Sequence, residues 1–259
     1  MTPSVQQLGD NTECFGSTAG RPHLIEGAPR NRWGTAADAH DLIPQPKILL
    51  EGTHLNRKTD IAFALAGHVD IVGHHKHRWH IPLISSEWQT RSDEQPTKSN
   101  PGRTMIDYLE RDDDWAHEAF ETYVRLLELH RDYYWVIDRF HVSTIAFQQM
   151  AYGREVDLAW VDRRLAALGV VLVHCWRDPA SFGTARDLRL TYSENPHNYD
   201  DLSVFIREQE LMQEIIDGSA MASCTVDVTD GDIDRVANDV LGEVRRLGLY
   251  YRPGPSRPG

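Results

Sequence analysis

The chain has 259 residues, 41% of them hydrophobic and 25% charged, the range of one large α/β domain or two small ones and enough to bury a substantial core. Its 27 Lys and Arg against 39 Asp and Glu give a formal net charge of −12, so a polymeric nucleic acid would meet mostly like charge and forfeit the counterion release that drives such binding. A small phosphorylated ligand needs only a local cluster of cations and N–H groups and is not excluded.

The three cysteines, Cys14, Cys175 and Cys224, share no short spacing, which argues against a disulfide framework and a four-thiolate zinc site and for a reducing, cytoplasmic setting. No apolar run approaches the roughly 20 residues that span a bilayer, and the first residues lack the basic start and apolar stretch of a signal peptide, so no membrane partner is expected.

Residues 1–46 are rich in Gly, Pro, Asn, Thr and Asp without a sustained period, and are expected to form a flexible N-terminal arm. Residues 47–248 alternate short apolar runs with helical patterns. The runs at 47–51, 69–73, 81–85, 134–138, 170–175 and 225–228 read as strands, and the stretches 58–66, 115–131, 143–151, 158–167, 202–216 and 232–247 as helices. This alternation predicts an α/β three-layer sandwich with a mainly parallel central sheet, in which ligands bind beyond the carboxyl ends of the strands. Ala116, Ala119, Phe120, Tyr123, Leu127 and His130 form the clearest helical stripe, and Asp112, Asp113 and Asp114 read as acidic residues at that helix's N-terminus. The exposed strip of so long a helix would permit a homodimer. Residues 249–259, with Pro253, Pro255 and Pro258 among glycines, are expected to be a disordered tail.

The first strand runs into Gly52-Thr53-His54-Leu55-Asn56-Arg57-Lys58-Thr59 and then a helical pattern, which fits G-x-x-x-x-G-K-T with Arg57 in place of the second glycine. In such a loop, N–H groups wrap phosphate oxygens, the Lys reaches the outer phosphates and the Ser/Thr hydroxyl reaches Mg²⁺. Gly52, Asn56, Arg57, Lys58 and Thr59 are therefore candidates for ATP binding, with the Arg57 guanidinium expected to be recruited to the phosphates. A surface loop that happens to end in Lys-Thr is the plain alternative. The stretch Trp135-Val136-Ile137-Asp138-Arg139-Phe140-His141-Val142-Ser143 is a strand ending in Asp-Arg before a second helix that carries Phe147 and Gln148. Read locally, Asp138 caps that helix and Arg139 pairs with a surface carboxylate.

With both motifs in this order, and Leu50-Glu51-Gly52 leading into the first, the chain resembles the thymidylate kinase family of P-loop nucleoside monophosphate kinases over roughly residues 47–248. The resemblance implies the P-loop kinase fold and the cofactors ATP and Mg²⁺. It implies that Asp138 and Thr59 hold the metal, that Lys58, Arg139, Asp138 and Arg186 are catalytic, and that Arg139, Phe140, Ser143, Phe147 and Gln148 bind the acceptor. It also places a lid near 177–200, with Arg186 and Arg189 closing on the donor phosphates. The family's Arg-Glu-Pro segment has no counterpart; Ser86-Glu87-Trp88-Gln89 stands in its approximate place. The function implied is ATP-dependent phosphoryl transfer to a nucleoside monophosphate, thymidylate-like or modified, or to a related small acceptor. Two alternatives remain: a catalytically silent P-loop nucleotide-binding protein, and a metal-binding module built on His68, His74, His75, His77 and His80.

Overall fold

Strand β2 (Lys47–Glu51) is buried at every position, its apolar centre Ile48-Leu49-Leu50 being that of a strand covered on both faces and its charged ends Lys47 and Glu51 buried with it. The structure, a computed structural model, describes residues 42–44, 46–72, 83–85, 113–131, 133–193 and 196–253. β2 lies at the centre of a five-stranded parallel sheet of order β3-β4-β2-β5-β6, with β3 (Leu83–Ser85), β4 (Trp135–Asp138), β5 (Val171–Trp176) and β6 (Ala222–Asp227). Its register sets Leu50 beside Asp138 on one side and Val173 on the other. Because the chain leaves β2 toward one side of the sheet and later returns to the other, the ends of β4, β2 and β5 border a crevice at the strands' carboxyl edge.

Alternation along β2 separates two cores. Leu49 joins Ile137 and Leu172 in the cluster under α3 (Asp113–Leu129), α4 (His141–Tyr152), α5 (Ala159–Ala167) and α7 (Leu202–Asp217). Ile48 and Leu50 join Val136, Val171 and Val173 against α1 (Lys58–Ala66) and α8 (Ile233–Arg246). On α8 the sheet-facing stripe is Val236, Ala237, Val240, Leu241 and Val244, all buried, so truncating any of its large members to Ala would cost about 2–5 kcal/mol in transfer and cavity terms. The three-layer α/β sandwich with a parallel sheet is thus the observed architecture. Among the described residues no helix is long and apolar enough to cross a membrane.

Three local expectations differ from the structure: those for residues 69–73, for a strand starting at 225, and for the segments 1–46 and 249–259. The described part of the expected strand is helical: Val69–Val72 is a short helix, α2, because the His68 ring accepts from the Asp70 N–H at 3.2 Å and its carbonyl accepts from Ile71 at 3.0 Å. Three β-branched residues around Asp70 cannot by themselves choose between helix and strand, and here the local cap decides. β6 begins three residues before the expected 225, since the parallel ladder with β5 runs from Val171 beside Ala222. Phe182–Leu190 forms a helix, α6, within the expected lid. Finally, β1 (Leu42–Pro44) pairs antiparallel with β7 (Tyr251–Pro253), so the two segments expected to lack regular structure meet in a short ribbon. Their pairing spans almost the whole chain and leaves no local period to read. On α3 the stripe includes Val124, which is buried, while His130 lies past the helix end and is exposed.

The start of α4 is pinned to its neighbour α5, on the same face of the sheet, by Asp162. One of its carboxylate oxygens faces His141 Nε2 at 3.3 Å and accepts from Ser219 Oγ at 2.6 Å; the other accepts from Ala220 N–H at 2.6 Å. Burial pushes this carboxyl up, but the bonds from His141, Ser219 and Ala220 prevail and hold it at about 2. A depressed carboxyl contributes stability that is complete above its unfolded value near 4 and is lost as pH falls toward 2, here about 2 kcal/mol. In urea titrations Asp162→Asn should lose about that amount at pH 6, and the gap to wild type should close between pH 4 and 2. An equal gap at both ends would mean that the ionised carboxylate contributes nothing there.

Candidate active site

At the end of β2 the chain turns through Gly52, whose φ of +149° and position admit no side chain: a Cβ there would lie 2.7 Å from the Cys175 carbonyl oxygen. A 3-10 turn over His54–Asn56 follows, then Arg57 at φ 51°, ψ 30°, then α1. The second glycine of the motif therefore answers to a left-handed backbone, and Arg57 adopts it at a cost of about 1 kcal/mol. Its guanidinium is engaged by Asp60 at 2.8 Å and by the Gly231 carbonyl at 3.0 Å, not by the loop it was expected to serve. The buried Asn56 amide donates to the Cys175 carbonyl at 2.5 Å and to Gln209 Oε1 at 3.1 Å, so this residue fastens the loop to β5 and α7. The first N–H groups of α1 have no intrahelical acceptor and point into the loop.

Lys58 is buried, and its ammonium donates to the Thr53 carbonyl at 2.6 Å, across the loop. Burial, then the charge of Arg139, lowers its pKa to about 8 against the opposing pull of Asp138. Thr59 Oγ1 donates to Asp138 Oδ2 at 2.5 Å, joining the loop to the end of β4. Asp138 therefore does not cap α4. That task falls to Glu51, fully buried at the end of β2, whose carboxylate accepts from Phe140 N–H at 2.8 Å, Ser143 N–H at 3.4 Å and the Ser143 hydroxyl. Burial raises the Glu51 pKa, opposed by these donors and by the nearby charges of His141 and Arg139.

Arg139 also stands in the left-handed region, at φ 63°, and is itself buried, unlike a surface ion-pair partner. Its N–H donates to Leu50 O at 2.9 Å; Nη1 reaches Ser143 Oγ at 3.4 Å and stands 4.0 Å from Glu208 Oε1. Nη2 is buried without a hydrogen-bond partner among the described residues. Glu208, on α7, also accepts from the Thr53 hydroxyl, tying α7 to the loop.

The other expected residues divide. Arg189 lies at the crevice, its Nε donating to Tyr199 OH at 3.0 Å and its guanidinium 4.9 Å over the Tyr192 ring. Its helix packs onto the loop through Phe182, clustered with Leu55, Tyr199 and Phe205. His54 is open to solvent, yet the protein packed around it, then Arg139, Lys58 and Arg189, disfavour its protonated form. Arg186 instead pairs with Asp187 at 2.9 Å and makes no bond to the loop. Phe140, expected at the acceptor, is a core residue, edge-on to Phe120 at 5.0 Å; its part in the site is its backbone N–H. Phe147 packs edge-on to Tyr152 at 5.7 Å, and Gln148 is fully buried in α4. His74, His75, His77 and His80 and residues 86–89 lie outside the described residues. His68 is engaged with Asn238 at 3.2 Å, and no group of three or more metal-ligating side chains occurs among the described residues.

Glu208, Gln209 and Arg177 were not anticipated. Gln209 stands where the stripe Phe205, Met212 and Ile216 calls for an apolar residue, which is the signal that marks it. Its amide bonds both the N–H and the carbonyl of Arg177 at 2.8 Å.

No family model matches the chain, and no curated protein does. Among solved structures it is similar to the YorR protein from Bacillus subtilis in complex with phosphorylated GDP, at 19% identity and a TM-score of 0.47, covering 77% of this chain and 97% of that one. It is also similar to deoxyadenosine kinase from M. mycoides with the products dCMP and dCDP bound, at 12% identity and a TM-score of 0.44, covering 77% and 99%.

The low pKa of Lys58 has a measurable consequence. A phosphate at the loop favours the ammonium form, so ATP binding should take up protons as pH rises through 8, and affinity should fall over the same range. Calorimetry at pH 8.5 in buffers of different ionisation enthalpy should register this uptake, and Lys58→Ala should abolish it. Uptake undiminished in Lys58→Ala would assign the proton to another group.

Proposed function

We propose that the chain is a nucleotide kinase that transfers the γ-phosphoryl group of ATP to a nucleoside monophosphate, thymidylate-like or modified, or to a related small acceptor. The observation that carries this is the bond between Thr59 and Asp138, which unites the phosphate loop and the Asp-Arg strand end at one sheet edge, with Lys58 and Arg139 beside it. A surface loop ending in Lys-Thr would have no reason to bury its lysine or to join a carboxylate from a neighbouring strand.

A hydroxyl and a carboxylate side by side are hard oxygen donors of the kind Mg²⁺ takes, so Thr59 and Asp138 would hold it. When bound, Mg²⁺ neutralises charge on the donor's outer phosphate oxygens. In the chain's own part of the reaction, Lys58 leaves the Thr53 carbonyl for the phosphates. Arg139 offers its unpaired Nη2 to the acceptor's phosphate, while its Nη1 donates to Ser143 Oγ, which in turn donates to Glu51. Arg189 bears on the same crevice from the lid. The acceptor oxygen displaces ADP from the γ-phosphorus directly, and catalysis is positioning plus charge stabilisation. The free thiols of Cys175 and Cys224 suit the reducing, cytoplasmic setting in which such an enzyme would work.

Nucleosides and nucleoside monophosphates incubated with ATP and Mg²⁺, and followed by ADP release, test this directly. Lys58→Ala should lower turnover by at least about a hundredfold, the effect of removing one preorganised donor to developing charge. Arg139→Ala should damage acceptor use while leaving ATP affinity within a few-fold. ATP binding without turnover for any acceptor would favour the silent nucleotide-binding protein. Loss of ATP binding in folded Arg139→Ala would remove the division into donor and acceptor sides.

A further inference from the structure

The turn that follows β6, residues 228–232, has three of its carbonyl oxygens held by arginines. Arg177, leaving β5, donates from Nη2 to Val228 O at 3.0 Å and from Nη1 to Thr229 O at 3.1 Å. Arg57, from the phosphate loop, donates from Nη1 to Gly231 O at 3.0 Å. The Asp178 N–H adds a bond to Thr229 Oγ1 at 2.9 Å, and Gly231 stands at φ 73°, a left-handed backbone that suits glycine. The turn lies beyond β6, an edge strand on the opposite side of β2 from β4, which carries Arg139.

With phosphates over the loop and the acceptor on the β4 side, the nucleoside part of a donor must extend toward β5 and β6, where this turn stands. We propose that Arg57 is a positioning residue for the donor's nucleoside: it ties the turn to the phosphate loop, and so acts on the base end of the donor and not on its phosphates. The inference rests on the phosphoryl-transfer reading above. It explains why an arginine occupies a left-handed position that glycine would fill without strain. The guanidinium reaches a partner in another segment that glycine could not hold, and Asp60 orients it from the next turn of α1.

The experiment compares ATP with inorganic tripolyphosphate, which carries the phosphate chain and no nucleoside, by calorimetric titration of wild type, Arg57→Gly and Arg57→Lys. Glycine suits the backbone at this position, so the first variant should fold, as thermal unfolding will register. Arg57→Gly should weaken ATP about tenfold, the loss of one charge-assisted bond's worth of order, and tripolyphosphate less than twofold. Arg57→Lys keeps the charge without the planar fork and should behave like Arg57→Gly toward ATP. Equal weakening of both ligands, restored by Lys, would place the charge on the phosphates and overturn the inference; so would unchanged affinity for both in either variant. Wild-type protein that bound neither ligand would overturn the phosphate-loop reading itself, a result distinct from these.

Discussion

A single buried carboxylate governs the geometry of the crevice. Glu51 closes the central strand and accepts the first N–H groups of α4 together with the Ser143 hydroxyl. Without it the start of α4 would be an uncapped, buried helix end, a costly arrangement when no water can take the place of the acceptor. Burial of the carboxylate is itself unfavourable, as its raised pKa shows, and the donors of α4 offset that cost. The consequence reaches the chemistry because Arg139 lies between the two groups so joined. With Leu50 holding its N–H and Ser143 its side chain, Arg139 is forced through a left-handed turn that keeps its guanidinium at the strand edge.

The electrostatics of the crevice run against those of the whole chain. A molecule with a formal charge of −12 gathers Lys58, Arg139 and Arg189 around one phosphate-sized loop, near enough for all three to bear on His54. Like charges packed in this way repel, and two acidic side chains moderate them: Asp138 and Glu208 both favour the charged form of Lys58. The balance remains unfavourable for the ammonium, whose pKa falls to about 8. A polyanion placed among these cations would relieve that repulsion.

The parts of the site that were legible in the sequence are those held by chain-local rules. Gly52, Lys58 and Thr59 follow a strand and open a helix, and Asp138 and Arg139 end another strand; once parallel pairing sets Leu50 beside Asp138, their meeting is determined. Phe140 is less legible, because adjacency to Arg139 does not fix which way a ring points. The backbone turn at Arg139 sends the next side chain into the core against Phe120. Glu208 and Gln209 were invisible for a different reason. Each acts across about 150 residues of chain, on Thr53 and Asn56, and a polar residue on a helical stripe announces that it is buried without naming its partner. The ribbon of β1 and β7 is the extreme case, a pairing of the two ends with no periodicity in either.

The loop between β2 and α1 is held by side-chain fastenings to three other segments. Asn56 bonds Cys175 and Gln209, Thr53 bonds Glu208, and Arg57 bonds Gly231, so the loop is fixed to β5, α7 and the turn after β6 before any ligand arrives. Order imposed in the free protein lowers the entropy that binding must still remove, which favours affinity for a ligand of matching shape. It also removes the freedom to adapt. Lys58, resting on the Thr53 carbonyl within this frame, retains a single exchange of partners, from that oxygen to a ligand's. Arg57, anchored to Gly231 at a left-handed position where glycine would leave freedom, thus fixes the geometry of the loop from a distant turn.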